Sequence, residues 1–216
     1  MEFERLMELV GNEPIFESGL LLAGKVKPGL IRQQLTRWTK SGRIYQLRRG
    51  LYAIAPPYQK VIPHPFLIAN QIQPASYVSG PSALAFYGLI PELVSTTLSV
   101  TTGRPGRWET LLGVFEFRHI KPELLQGYRR SSLGGIQSDQ QAMLATPEKA
   151  LLDLIYLQPG GDAPEYLGEL RLQNLERLDM DELHRQAEIF ATPKLHRAVE
   201  TIAHLARSES QEYELI

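Results

Sequence analysis

A change of period at Gly42 constrains the fold more than any other feature of this chain. Residues 28–42 read PGLIRQQLTRWTKSG. At 100° per residue, Leu30, Ile31, Leu35 and Trp38 gather on one arc, and Arg32, Gln33, Thr36, Arg37 and Lys40 gather on the other. Pro28 opens this predicted helix and Gly42 closes it. The next residues, RIYQLRRGLYAI, run close to alternation, so 43–47 and 51–54 are predicted strands joined by a turn at Arg48-Arg49-Gly50.

Two further helices are predicted upstream. Phe3, Leu6, Met7 and Val10 follow the i, i+3, i+4, i+7 pattern. Asn12 offers a cap and Pro14 a first turn for a second helix bearing Ile15, Phe16, Leu20 and Ala23, closed by Gly24. Three helices followed by a hairpin is the order of a winged helix-turn-helix. The expected fold class is therefore α+β, with a winged helix-turn-helix at residues 1–56. A proline-rich linker follows at 57–65, then a mixed α/β domain with a helical C-terminal region at 66–216.

In that second part, PFLIANQI and PSALAFYGL are predicted helices, and ASYVSG, TTLSVTT and GVFEFRHI are predicted strands. GRPGR reads as a turn, and GGIQSDQQAMLA as two short strands or a hairpin. Thr146 and Pro147 start a helix over TPEKALLDLIYL. Two more helices follow, one on Leu183, Ala187 and Phe190, the other on Leu195, Ala198, Val199, Ile202 and Leu205, before a polar end expected to fray.

Charge separates these two parts. The net formal charge is only −1, but no Asp or Glu occurs from Ser18 to Pro91. That window holds Lys25, Lys27, Arg32, Arg37, Lys40, Arg43, Arg48, Arg49 and Lys60. Residues 1–60 carry ten basic side chains against five acidic, and the remaining 156 carry thirteen against nineteen. A basic module joined to an acidic one points to a nucleic-acid reader with a partner domain.

The predicted DNA contacts are Arg32, Gln33, Thr36 and Arg37 toward base edges, since Arg pairs with guanine, Gln with adenine, and Thr with either a polar edge or a thymine methyl. Lys27 and Lys40 are placed against phosphates at the helix ends, and Arg48 and Arg49 at the hairpin tip, on phosphate or in a minor groove.

Other chemistry is poorly represented. There is no cysteine, so disulfides and cysteine-based zinc sites are excluded. Phosphate-loop, dinucleotide-binding, zinc-protease and nucleophile-elbow motifs are absent. His64, His119, His184, His196 and His204 lack metal-ligand spacing. Glu148, Lys149 and Asp153 could imitate a nuclease-like cluster, but they share one polar helical face, expected to be a solvated face or an interaction surface. No metal, cofactor or catalytic set is predicted. No apolar run is long enough for a membrane span, and a cytoplasmic location is expected.

The ordered set LRRGLYAIAP, SYVSGPSALAFYGLIPE, LSVTTGRPGR, FRHI and TPEKALLDLIYL resembles the AbiEi-type antitoxins of type IV toxin–antitoxin systems, transcriptional regulators of phage-defence loci. The resemblance covers roughly residues 3–157. It implies an N-terminal winged helix-turn-helix that binds operator DNA and represses its own operon, with contacts on the helix at 28–41 and the hairpin at 43–54. It also implies a C-terminal domain that neutralises a nucleotidyltransferase-like toxin. A stand-alone regulator without a toxin fits the same sequence, and a nucleic-acid enzyme delivered by the first domain is the remaining alternative. Two copies on a palindromic operator would match the symmetry usual for such readers.

Overall fold

The computed structural model describes residues 2–22, 27–134 and 139–214, with side chains through Arg207. Lys25, with Ala23 and Gly24 at the predicted end of the second helix, lies outside the described residues, as does part of the GGIQSDQQAMLA segment.

The chain opens with helix α1 (Phe3–Val10), whose Phe3, Leu6 and Val10 are buried. The predicted second helix is instead a short strand, β1 (Ile15–Glu17), followed by a 3₁₀ turn over Ser18–Leu22. The reason is tertiary. β1 pairs antiparallel with β3 (Leu51–Ile54), with Ile15 opposite Ala53 and Glu17 opposite Leu51. Phe16 stacks on Tyr52 with ring centroids 5.7 Å apart. That pairing outweighs a weak local helix preference.

Helix α2 (Pro28–Lys40) and strand β2 (Ile44–Arg48) follow as expected. On α2, Ile31, Leu35 and Trp38 are buried, but Leu30, expected on the same arc, is 58% exposed. It lies in the first turn, about 100° around the helix from buried Ile31. The small sheet has the order β1-β3-β2.

Strand β3 is buried along its whole length. Tyr52 and Ile54 join Ile44, Trp38, Phe3 and Leu6 in one hydrophobic cluster. Leu51 and Ala53, with Leu47, join a second, larger cluster that runs through the rest of the chain. Strand β3 is thus covered on both faces, which explains the continuous apolar run LYAIA. Leu47, three residues from Ile44, falls on the opposite face by strand alternation, so it meets the larger cluster while Ile44 faces the smaller one; the pairing irregularity lies between Gln46 and Arg48.

The segment at 57–65 is docked rather than loose. Val61 and Pro63 are buried. Gln140 brackets the segment: its side-chain oxygen accepts from the His64 N–H at 2.7 Å, and its amide donates to the Ile62 carbonyl at 2.8 Å.

Beyond it lie α3 (Pro65–Ile72), β4 (Ser76–Val78), α4 (Gly80–Phe86), β5 (Thr96–Thr101), β6 (Gly106–Thr110), β7 (Gly113–His119), β8 (Tyr128–Ser132) and β9 (Gln141–Ala145). The strands form a mixed sheet of order β6-β7-β5-β4-β9-β8, with β5–β7 and β4–β9 parallel and the other pairs antiparallel. Strands β6 and β8 are not apparent from the sequence. Both are sheet edges: β8 is exposed along most of its length and β6 alternates only between half-buried and exposed positions, taking in Gly106 and Arg107 from the predicted turn.

Helices α5 (Pro147–Leu157), α6 (Pro164–Glu169), α7 (Met180–Phe190) and α8 (Pro193–Glu214) complete the chain. α8 continues through Glu214, past the point where the polar sequence suggested fraying. The whole is an α+β fold. Among the described residues no helix is long and apolar enough to cross a membrane.

Candidate nucleic-acid interface

Helix α2 presents its polar arc outward. Lys27, Arg32, Gln33, Thr36, Arg37 and Lys40 are all exposed. Its apolar arc is seated by Trp38, edge-on to Phe3 at 5.5 Å, and by Ile31 and Leu35 in the same cluster. The rotation of the helix about its axis is therefore set by packing. The Thr36 hydroxyl donates to the Arg32 carbonyl at 2.9 Å, leaving its methyl group and oxygen lone pairs facing outward.

The N-terminus of α2 is unusual in its charge. Lys27 occupies the cap position, no side chain caps the helix, and the first turn contains no acid. A cation at the positive end of a helix dipole is unfavourable for stability and suits an incoming anion. At the other end, Arg37 and Lys40 sit where the dipole favours them.

Between α2 and the hairpin runs a groove of about 710 Å³. Arg32, Thr36 and Lys40 line it from the helix, and Gln46, Arg49 and Gly50 from the hairpin. Gly50 has φ +82°, and an added Cβ would come within 3.3 Å of the Ser18 hydroxyl, so the turn calls for glycine. Sequence reasoning did not single out Gln46. It lies two residues after buried Ile44 on β2, which places it on the α2 side, a signal present in the strand period. Gln33 and Arg37 do not line this groove and stand on the outer ridge of the helix.

The two arginines at the turn have different surroundings. The Arg48 guanidinium donates to the Gln71 carbonyl at 3.2 Å, to the Arg49 carbonyl at 3.2 Å and to the Glu17 carboxylate at 3.4 Å. Its side chain is 28% exposed. It ties the hairpin to the last turn of α3 and is not an outward-facing tip. Arg49 is exposed, and its guanidinium has no hydrogen bond or ion pair among the described residues. Arg43, also in the basic window, stacks over Phe3 at 5.0 Å. Among the described residues of α2, its cap and the hairpin turn, Lys27, Arg32, Arg37, Lys40 and Arg49 thus remain as the outward cations.

The cluster on α5 is not solvated. Glu148, Lys149 and Asp153 are 5%, 1% and 0% exposed. Lys149 and Asp153 form a buried ion pair. The Asp153 carboxylate also accepts from the Tyr77 hydroxyl at 2.9 Å and the Ser79 hydroxyl at 2.7 Å. The Lys149 ammonium lies 4.5 Å from the Phe190 ring centroid, and Glu148 accepts from the Asp179 N–H at 3.0 Å. Burial pushes the Asp153 carboxyl above the usual carboxylate range, against the pull of Lys149 and the two hydroxyls. Burial likewise pulls Lys149 down, against Asp153. With no exposed carboxylate at Asp153, this cluster offers no open site for substrate. Among the described residues no group of three His, Cys, Asp or Glu side chains could hold a metal ion.

No family model and no curated protein matches the chain. Among solved structures, the crystal structure of RV2827C protein from Mycobacterium tuberculosis is similar, with a TM-score of 0.53 at 15% identity. The match covers 92% of this chain and 76% of that one, and at this identity it bears on the fold alone.

Proposed function

We propose that this chain is a sequence-specific DNA-binding transcriptional regulator, an autorepressor whose first domain is a winged helix-turn-helix. The observation that carries the reading is the joint placement of α2 and the hairpin. A helix held by Trp38, Ile31 and Leu35 turns Arg32, Gln33, Thr36, Arg37 and Lys40 outward, and Arg49 stands across a groove from it. The order α1, β1, 3₁₀ turn, α2, β2, β3, with β1 closing the small sheet against β3, suits a winged helix in which α2 enters the major groove.

In this reading Gln33 and Arg37, on the outer ridge, meet base edges, and Arg32 and Thr36 reach the groove floor or the flanking strand. Lys27, Lys40 and Arg49 meet phosphate and supply the salt-dependent part of the affinity. Arg48 is left out of the contact set, because its guanidinium is occupied by Gln71 and Glu17. The AbiEi resemblance extends the reading to an antitoxin that neutralises a nucleotidyltransferase-like toxin through the larger domain.

Selection of bound duplexes from a random pool, followed by anisotropy titration, tests the DNA role. The expected result is a defined site whose preference changes with Gln33→Ala or Arg37→Ala, whereas Arg49→Ala weakens all duplexes alike. A wild-type protein with no preference among sequences would refute the specific reading. Co-expression with a nucleotidyltransferase-like protein encoded beside it tests the antitoxin role: growth should be restored by the full chain.

A further inference from the structure

The loop at 102–105, between β5 and β6, belongs to the larger domain and is fastened beside the hairpin. The Gln73 side-chain amide donates to the Arg104 carbonyl at 3.1 Å and to the Thr101 hydroxyl at 3.2 Å. The Gly103 N–H donates to the same Thr101 hydroxyl at 3.0 Å, and His119 Nδ1 lies 3.1 Å from the Gly103 carbonyl. At Gly103 an added Cβ would come within 3.0 Å of the Gln73 amide, so the backbone is closely fitted.

The other anchor at this place is Arg48, which bonds the Gln71 carbonyl. The end of α3 therefore holds the hairpin at Gln71 and the loop at Gln73, two residues apart. β6 then passes against β2.

Two carboxylates near this junction are already engaged. Glu17 pairs with Arg48 at 3.4 Å, and Glu109 pairs with Arg107 at 3.1 Å. Arg104 is exposed, with no side-chain hydrogen bond or ion pair among the described residues. Lys121 is likewise exposed and unpaired, one residue after Ile120, whose N–H donates to the Thr101 carbonyl at 2.9 Å. Two supports tied to the end of α3 or packed beside it thus carry cations without an ion-pair partner: Arg49 on the hairpin, and Arg104 with Lys121 on the larger domain.

We propose that Arg104, with Lys121 behind it, is a second phosphate-binding element on the same duplex, lying beyond the hairpin tip. The larger domain then takes a direct part in DNA binding and lengthens the footprint past the region covered by α2. This rests on the DNA-binding reading above. A backbone contact of this kind adds affinity and salt dependence but no base preference.

The test is anisotropy of labelled mixed-sequence duplexes of about three and about one and a half helical turns, titrated between about 50 and 200 mM salt. With the full chain, Arg104→Glu is expected to weaken binding to the longer duplex roughly ten-fold and to make the salt slope shallower by about 0.9 for the phosphate lost. The effect should fade on the shorter duplex. Wild-type affinity and slope for Arg104→Ala and Arg104→Glu, alongside weakened binding by Arg49→Ala, would overturn this inference and leave the DNA reading standing. Equal loss on both duplex lengths would overturn the placement beyond the tip. No duplex binding by the wild-type protein at the lowest salt would overturn both.

Discussion

Helices α2 and α5 carry similar wheels, with leucines on one arc and cations or hydrogen-bonding groups on the other. On α2 the polar arc faces solvent from Arg32 to Lys40. On α5 the corresponding residues, Lys149 and Asp153, are sealed inside. The difference lies in how many layers meet each helix. α2 packs against α1, the small sheet and the 3₁₀ turn on one side only. α5 is met by α4, β9, α7 and α8, and its polar arc closes onto Tyr77, Ser79 and Phe190. The same kind of amphipathic pattern yields a free surface in one place and a structural polar network in the other.

Substitutions on the two helices should separate stability from binding. The largest effect is expected at the buried pair. Lys149→Met or Asp153→Leu alone leaves one charge buried without its partner and should cost about 3–5 kcal/mol in urea unfolding. The combined variant should recover part of that loss, because two neutral side chains no longer need each other, while the Tyr77 and Ser79 hydroxyls still lose the acceptor at Asp153. If the single variants unfold like wild type, α5 is not held as described.

On α2 the expected loss is in DNA affinity. Arg37→Ala should cost about 1–3 kcal/mol of binding to the preferred site and relax preference there, with the unfolding midpoint nearly unmoved. The neighbouring arginines at the turn sharpen the contrast further. Arg48→Ala should destabilise the fold by about 1 kcal/mol, discounted for its partial exposure, since it removes the tie between β2 and α3. Arg49→Ala should leave stability alone and reduce the salt slope by about 1. If Arg48→Ala instead matches Arg49→Ala in both assays, the structural tie is secondary. The smallest effect is predicted for Arg32→Ala on stability, within about 0.5 kcal/mol of wild type, as for any exposed helical residue away from a network.

Much of the element plan was legible in the chain. The helix at 28–40, the hairpin that follows and the helix at 147–157 are long or strongly patterned enough that local period decides them. The short strand at 15–17 is not legible as a strand, because three residues carry little period and their pairing partner lies some 35 positions away at 51–53. The edge strands β6 and β8 escaped for a related reason: only one side of each is hydrogen-bonded, and their side chains are largely exposed.

The candidate interface divides in the same way. The identity and outward direction of Arg32, Gln33, Thr36, Arg37 and Lys40 followed from the wheel and the absence of acids. The roles of Arg48 and Arg49 did not, since adjacent residues in a turn differ only in what lies near each guanidinium. Gln71 and Glu17 come to Arg48 from other elements.

By itself, then, the sequence determined where charge is concentrated, which helices are amphipathic and where the hairpin turns, because these depend on residues within a few positions of one another. Only the tertiary structure decided which charged arcs stay in water, which arginine becomes a brace, and that the hairpin and the loop at Arg104 are fastened to the same end of α3. Burial and electrostatic partnership depend on distance in space, and the segments that set that distance here are separated by tens of residues along the chain.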